Sequence, residues 1–428
     1  MQTLFKFFSK NLLLKVASYN SIQVLLRIVT GAVMSKIIAY YVGAAGMGIM
    51  GNLRNFVQGI QAFSVLGLEN GLVKNTAQLK GQKEKLALTI ASGWTLAAIA
   101  TVVLMVAIYV AAPWLDATLI ATDYSFVTLF RVFAAVLPFW TLFVFMSTLM
   151  QGFEHYKKFI TVNIIIGLCV FAMSAYLIYD YNLIGALYSI ILTPVIQCIV
   201  ALFFWKYSIG ALGFVQVFTF KIDRKIARQL FKFSIMALVS ALLLPLVTIL
   251  VRDYVRLTVS DEAAGWWEAM TRISSYYMMF ITSLISLYLL PQLSRNDTPA
   301  NYRASITTFY KNILPIVIAG LLAVYFVRGY LIEFLFSPEF EPATALFKWQ
   351  LVGDFLKVIT TVLAFRFIAI NDLKRYLIAE LVSVGCFYFT AHVLITSYGV
   401  EGVVMAHVAT YTVYLITLLV LLRKDLTR

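Results

Sequence analysis

The chain has 428 residues, of which 61% are hydrophobic and only 13% charged, and its mean hydropathy is +0.88. A soluble domain carries about twice that share of charge, so composition excludes a soluble fold of this size. Outer-membrane barrels alternate polar and apolar residues and lack long apolar runs, which leaves an all-α integral membrane protein. The formal net charge of +14 follows the loops rather than one patch, so no nucleic-acid partner is expected.

Met1–Lys15 is a basic, aromatic lead-in without a small-residue cleavage site, and no cleavable leader is expected. Hydropathy predicts twelve transmembrane helices, at 16–41, 47–68, 86–112, 124–152, 159–179, 183–205, 232–251, 265–290, 312–335, 343–369, 376–397 and 402–422. One alternate set of links holds nearly all the cations, among them Lys74, Lys80, Lys83, Lys85, Lys157 and Lys158. The other set holds Arg252 and Arg256 and collects acids such as Asp116, Asp180, Glu339 and Glu401. The positive-inside rule then places both termini in the cytoplasm and requires an even number of crossings.

The first span carries Asn20, Gln23, Arg27 and Thr30 in one narrow stripe, with Lys36 nearer its end. Gly46-Met47-Gly48-Ile49-Met50-Gly51 matches a dinucleotide fingerprint in letters only, because no strand or soluble βαβ unit surrounds it. Arg54, Gln58 and Gln61 follow at i, i+4 and i+7 on one face of the second span. Arg131 opens the fourth span. Cys169, Cys198 and Cys386 all sit in apolar runs without ligand spacing, so they read as packing residues.

The longest polar link, 206–231, leads into a basic amphipathic segment, Phe214–Phe233, expected to lie along the cytoplasmic face. It divides the chain into an N-lobe, 1–212, and a C-lobe, 213–428, of six spans each. The lobes show signs of a parallel repeat: Ala44-Ala45-Gly46 precedes Arg54 as Ala263-Ala264-Gly265 precedes Arg272. Arg131 stands 26 residues before Lys157-Lys158, and Lys348 stands 26 before Lys374-Arg375.

Within the second lobe Glu268, Arg272, Ser275 and Met279 share a face, as do Gln350, Asp354 and Lys357. A charge at mid-bilayer costs roughly 2.5–3.5 kcal/mol on insertion scales, so such residues are kept where they face a polar interior. Lys357 can pair internally with Asp354, and Arg272 with Glu268, whereas Arg27 and Arg54 have no acid in their own spans. The surplus cations fit phosphate oxygens, bidentately through arginine. Lys348 and Arg366 point away from this face and are expected to serve the ends of their span. Asp354, Glu268, Glu380, His392 and His407 are the titratable candidates for ion coupling. No P-loop, zinc-protease or nucleophile-elbow motif is present, and no cofactor or metal site is expected. The longest non-cytoplasmic link, 252–264, is too short for a catalytic domain, which argues against a glycan polymerase or another enzyme.

VGAAGMGIMGNLRN (42–55), ITSLISLYLLPQLSR (281–295), LVGDFLKV (351–358), AELVSVGCFYFTAHVLI (379–395) and VATYTVYL (408–415) resemble Wzx-type polysaccharide repeat-unit flippases. These belong to the multidrug/oligosaccharidyl-lipid/polysaccharide exporter superfamily. The resemblance implies two six-helix lobes in a V shape around a central cationic cavity. It also implies the cargo: an undecaprenyl-pyrophosphate-linked glycan, such as an O-antigen or enterobacterial common antigen repeat unit. That cargo moves from the cytoplasmic to the periplasmic leaflet of the bacterial inner membrane. By the same resemblance Arg27, Lys36, Arg54 and Lys357, with Asp354, contact the headgroup; Arg272 is added from its facing and charge. Membrane lipid, a glycan polymerase and other assembly proteins are the implied partners. The alternative is a cation-coupled multidrug exporter of the same superfamily, for which an acidic cavity would be expected.

Overall fold

The computed structural model describes residues 12–79, 81–120, 122, 124–205, 219–285, 299–370 and 372–427. Among them all regular structure is helical. The order is α1 (Leu12–Tyr41), α2 (Gly43–Ser64), α3 (Glu69–Gln78), α4 (Lys83–Leu115), α5 (Val127–Gly152), α6 (Tyr156–Phe203) and α7 (Arg224–Thr258). Then come α8 (Asp261–Leu284), α9 (Pro299–Leu335), a 3-10 segment (Pro338–Leu346), α10 (Phe347–Ala369), α11 (Leu373–Tyr398), α12 (Glu401–Leu421) and the short α13 (Arg423–Thr427).

Eight of the described helices are long and apolar enough to cross a membrane. The apolar side chains on several face outward: Val110 is 73% exposed, and Phe326, Tyr330 and Phe334 on α9 are 75–76% exposed. Such surface is stable only against lipid or a partner, and a multi-pass all-α membrane protein results. The eight do not include α2, α8 and α10, which carry three of the polar stripes. All twelve stretches expected as spans nevertheless fall on helices, with 286–290 of the eighth outside the described residues.

Local chemistry sets several boundaries. Asn182, at φ 49° and ψ −125°, breaks α6 into two arms, and this separates the fifth and sixth expected spans. Just beyond it, a Cβ on Gly185 would lie 1.8 Å from the Leu177 carbonyl oxygen, so only glycine permits that close return. Ser260 caps α8 by accepting the Ala263 N–H at 3.1 Å, and Asp261 and Glu262 complement the positive end of the helix dipole. Asp223 caps α7, accepting from the N–H groups of Lys225 and Ile226 at 2.8 and 3.0 Å.

The structure differs from expectation in three places. The link expected at 252–264 is helical over most of its length: α7 runs to Thr258, and only Val259 and Ser260 separate it from α8. Of the expected surface segment 214–233, residues 214–218 lie outside the described residues, and from Arg224 onward it forms the first turns of α7. A ten-residue helix, α3, was not anticipated, because it is too short and polar to register as a span. It is held in place by packing: a Cβ on Gly152 of α5 would lie 2.5 Å from Thr76 Cβ.

The chain divides into two compact units: residues 1–34 with 52–245, and residues 35–51 with 246–428. The expected cut at 212/213 lies outside the described residues. Packing joins the first part of α7, up to Pro245, to the first unit, and the tip of the α1–α2 hairpin to the second. The first unit is centred on Val65, Phe143, Met146, Met150, Val162 and Cys198. Trp140 donates to the Gln61 carbonyl at 3.0 Å, and the Thr101 and Thr141 hydroxyls meet at 2.7 Å. In the second unit the two Ala-Ala-Gly stretches pack on each other. A Cβ on Gly265 would be 1.8 Å from the Ala44 carbonyl oxygen, and one on Gly48 would be 3.2 Å from Ala264 Cβ. Gly48 and Gly51 therefore let α2 pack closely, Gly48 on Ala264 of α8 and Gly51 on Glu268 and Arg252.

Candidate functional site

Among the described residues the most enclosed carboxylate of the second unit is Asp354 on α10, with no exposed surface. An unpaired buried carboxylate is costly, and its roughly four lone-pair positions need donors. Four side chains from three helices supply them. From α8, one turn apart, come Ser274 Oγ at 2.7 Å and the Tyr277 hydroxyl. From α10 itself comes Gln350 Nε2 at 3.1 Å, and from α12 His407 Nε2 at 3.0 Å. His407 reaches Asp354 because residue 353 is glycine: a Cβ there would lie 2.2 Å from His407 Cδ2. The cluster ties α8, α10 and α12 together and places a titratable imidazole against a buried carboxylate.

Lys357 is not in this ion pair. Its ammonium lies 5.8 Å from the centre of the Tyr411 ring, a cation–π distance, and the imidazole that meets the Asp354 carboxylate is that of His407, at 3.0 Å. The expected Asp354–Lys357 pair is thus corrected. Spacing at i and i+3 puts the two on one face of α10, but the carboxylate is turned toward α8 and α12. Tyr411 also packs edge-on against His407 at 4.8 Å, so lysine, tyrosine, histidine and aspartate form one contiguous group.

A second polar group joins α7 and α8. Glu268 accepts from Arg272 Nε at 3.2 Å, the expected i, i+4 pair, and from Arg252 Nη2 at 2.9 Å. All three side chains are buried. Arg252 was assigned by sequence to a loop; it is 1% exposed, within α7, with its guanidinium 5.0 Å from the centre of the Trp267 ring. Gly51 on α2 lies against the pair: a Cβ there would be 2.6 Å from Glu268 Oε2 and 2.9 Å from Arg252 Cζ.

The remaining candidates are placed as follows. Lys36, at the end of α1, donates to the carbonyl oxygens of Glu333 at 2.7 Å and Phe336 at 2.5 Å, so its ammonium caps α9. Glu380 on α11 lies beside the hydroxyls of Tyr376 and Tyr414. His392 is stacked on Tyr254 at 4.2 Å and donates from Nδ1 to the Tyr388 carbonyl at 2.9 Å, which is a packing role. In the first unit Arg27 is exposed on α1 and Arg54 half-buried on α2. The structure thus brings Asp354, Lys357 and His407 into one group and Glu268 with Arg272 into another.

Three further cations have partners that the sequence did not name. Arg366, expected to serve the end of its span, is 3% exposed and pairs with Asp425 of α13 at 3.1 Å. Arg375 meets the other Asp425 oxygen at 3.2 Å and Asp372 at 2.5 Å, so the C-terminal turn is fastened to α10 and α11. Arg131 lies 5.2 Å from the centre of the Tyr109 ring. Among the described residues no group of three or more His, Cys, Asp or Glu could hold a metal ion.

The polysaccharide biosynthesis protein family profile matches residues 13–297, two-thirds of the chain. This chain belongs to the polysaccharide biosynthesis protein family. The profile covers the Arg252–Glu268–Arg272 group but stops short of Asp354, Lys357 and His407. A relative matches over nearly the full length: the lipid III flippase of Escherichia coli strain K12 is 30% identical over 407 residues, covering 94% of this chain and 96% of the relative.

Solved structures agree on the fold of this polysaccharide biosynthesis protein. A multidrug resistance MATE-family transporter of the MOP superfamily, in an inward-facing conformation, superposes with a TM-score of 0.76 at 14% identity, covering 94% of each chain. The lipid II flippase MurJ superposes at 0.66 and 13% identity, over 96% of this chain and 88% of MurJ.

Proposed function

We propose that this protein is a flippase for a lipid-linked oligosaccharide, not an enzyme. It moves an undecaprenyl-pyrophosphate-linked glycan from the cytoplasmic to the periplasmic leaflet of a bacterial inner membrane by alternating access. The single observation that carries the reading is the 30% identity to a lipid III flippase across 94% of the chain. That relative's name makes an enterobacterial common antigen unit the favoured cargo, ahead of an O-antigen unit. The finer architecture belongs to the same proposal: twelve crossings, two six-helix lobes built as parallel repeats, and both termini cytoplasmic.

The residue chemistry suits an anionic headgroup. Arg27, Arg54 and Lys357 supply cations, and arginine forks match pyrophosphate oxygens in pairs. Arg272, oriented by Glu268 and through it by Arg252, is suited to contacting the sugars. Asp354 and His407 act as the titratable pair for coupling, with Glu380 a second carboxylate nearby. Lys36 contributes by holding the end of α9 rather than by touching cargo. Moving net negative charge outward runs with an inside-negative potential, worth roughly 2.3 kcal/mol per charge per 100 mV. The likeness to MATE transporters is one of fold at 14% identity, and cationic drugs would be repelled by these arginines and lysines.

The test is complementation of a strain lacking its lipid III flippase, read by surface glycan. The wild-type chain restores the glycan, while Arg54→Ala and Lys357→Ala insert normally and do not. Full activity of both variants would sink the cationic-headgroup reading.

A further inference from the structure

Between α9 and α10 lies a groove of about 420 Å3 whose walls are almost entirely carbon. One wall comes from α9, from Ile318 to Tyr325 at i, i+3, i+4 and i+7; the other comes from α10, from Lys348 to Phe355 at the same spacing. The helices run antiparallel in a defined register: the Tyr302 hydroxyl donates to the Leu363 carbonyl at 3.3 Å, and that of Tyr310 to the Ile359 carbonyl at 2.8 Å. Lys348 therefore stands at the Tyr325 end. The floor is buried, with Leu321 at 8% and Leu351 at 6% exposure, while the rims at Leu322 and Val352 are about half exposed.

The charge in this groove lies at one end. The Lys348 ammonium is 4.9 Å from the centre of the Trp349 ring, and the Arg328 guanidinium lies 4.2 Å over the Tyr325 ring. Neither cation is in an ion pair among the described residues. Glu333 and Glu341 border a neighbouring cavity with Arg328 but stand beyond ion-pair distance from it. Aromatic residues beside snorkelling cations are what the membrane–water boundary selects. From Ile318 to Tyr325 is seven residues, so the groove runs roughly 10 Å along the helices. One leaflet of a hydrocarbon core near 30 Å is about 15 Å deep.

We infer that this groove is a binding site for an anionic glycerophospholipid, one acyl chain lying along α9 and α10 and the phosphate held by Lys348 with Arg328. The groove takes up part of one chain within a single leaflet, and the two cations at its end, in no ion pair among the described residues, favour an anionic headgroup. The site lies on the second unit alone, and the inference rests on the helices crossing a membrane, not on the cargo.

The test is native mass spectrometry of the delipidated full chain titrated with dioleoylphosphatidylglycerol, dioleoylphosphatidylcholine, glycerol 3-phosphate or undecaprenyl phosphate. Phosphatidylglycerol is expected to be retained over phosphatidylcholine, and glycerol 3-phosphate not at all. Lys348→Gln should weaken phosphatidylglycerol about fivefold, which is about 1 kcal/mol at 1.4 kcal/mol per tenfold, and leave phosphatidylcholine unchanged. Adding Arg328→Gln should weaken it further. Val352→Trp and Leu322→Trp, each on an exposed rim, should fill the groove and remove the preference. The inference is overturned by unchanged phosphatidylglycerol retention in Lys348→Gln, by no effect of both rim tryptophans, by retention of glycerol 3-phosphate alone, or by preferential displacement by undecaprenyl phosphate. A chain that fails to complement the flippase strain but retains phosphatidylglycerol as described would overturn the transport reading and leave the site standing.

Discussion

Asp354→Ala and Asp354→Asn separate the structural and chemical roles of the buried carboxylate. Alanine removes the acceptor shared by Ser274, Tyr277, Gln350 and His407. Each buried donor left unmade costs about 1–3 kcal/mol. Gln350 Nε2 and His407 Nε2 already stand 3.4 Å apart and can re-pair, which leaves the two hydroxyls of α8 orphaned. The expected loss is about 2–6 kcal/mol, about 1–3 kcal/mol for each of the two orphaned hydroxyls. Asparagine keeps the shape and one acceptor. Its Oδ1 still takes the Gln350 and His407 donors, and its Nδ2 donates to a hydroxyl that rotates to accept. Asp354→Asn should therefore lose only about 1–2 kcal/mol, the difference between charge-assisted and neutral hydrogen bonds. The assay is thermal denaturation of detergent-purified protein followed by the monodisperse fraction, alongside surface-glycan complementation. The asparagine variant is expected to fold and to transport poorly. An alanine variant as heat-resistant as the wild type would refute the closed cluster, and an asparagine variant with full transport would refute a coupling role for the pair.

Lys36→Met should leave transport largely intact and cost about 0.3–1 kcal/mol, the scale of a cation at a helix C-terminus; loss of transport at normal stability would return Lys36 to the headgroup. Asp425→Ala removes the carboxylate paired with the buried Arg366 and Arg375 and should lower stability measurably, and deletion beyond Leu422 should match it in the same melt; a truncation as stable as the wild type would show that α13 fastens nothing. Partial burial pushes the Asp372 carboxyl up, but the Arg375 N–H and guanidinium outweigh this and hold it below the usual carboxylate range. Its contribution is complete above the unfolded value near 3.9 and is lost as pH falls through the lower folded value, so melting profiles between pH 2 and 6 should show a shallower acid limb for Asp372→Asn.

The local features of this chain were legible from residue order. Apolar runs located the helices, and 100° geometry put Glu268 with Arg272 and Gln350 with Asp354, because each depends only on neighbours within two turns. Loop charge failed at Arg252. Hydropathy ended that span at 251, whereas the helix continues because Glu268 and Trp267 receive the guanidinium. The partner of Arg366, at the end of its span as expected, could not be read for the same reason, since Asp425 lies 59 residues away.

Sequence alone therefore determined that the chain is an all-α multi-pass membrane protein with cations in the polar stripes of several helices. Burial preference and helical period are properties of each segment by itself. Tertiary structure alone decided which charge meets which. Asp354 took His407 rather than Lys357 because Gly353 leaves room for an imidazole from a helix more than fifty residues on. Lys36 became a helix cap because the end of α9 arrives beside it, some 300 residues later in the chain. Partner choice among buried charges follows from the rotation and register of distant helices, and those emerge only when the helices pack.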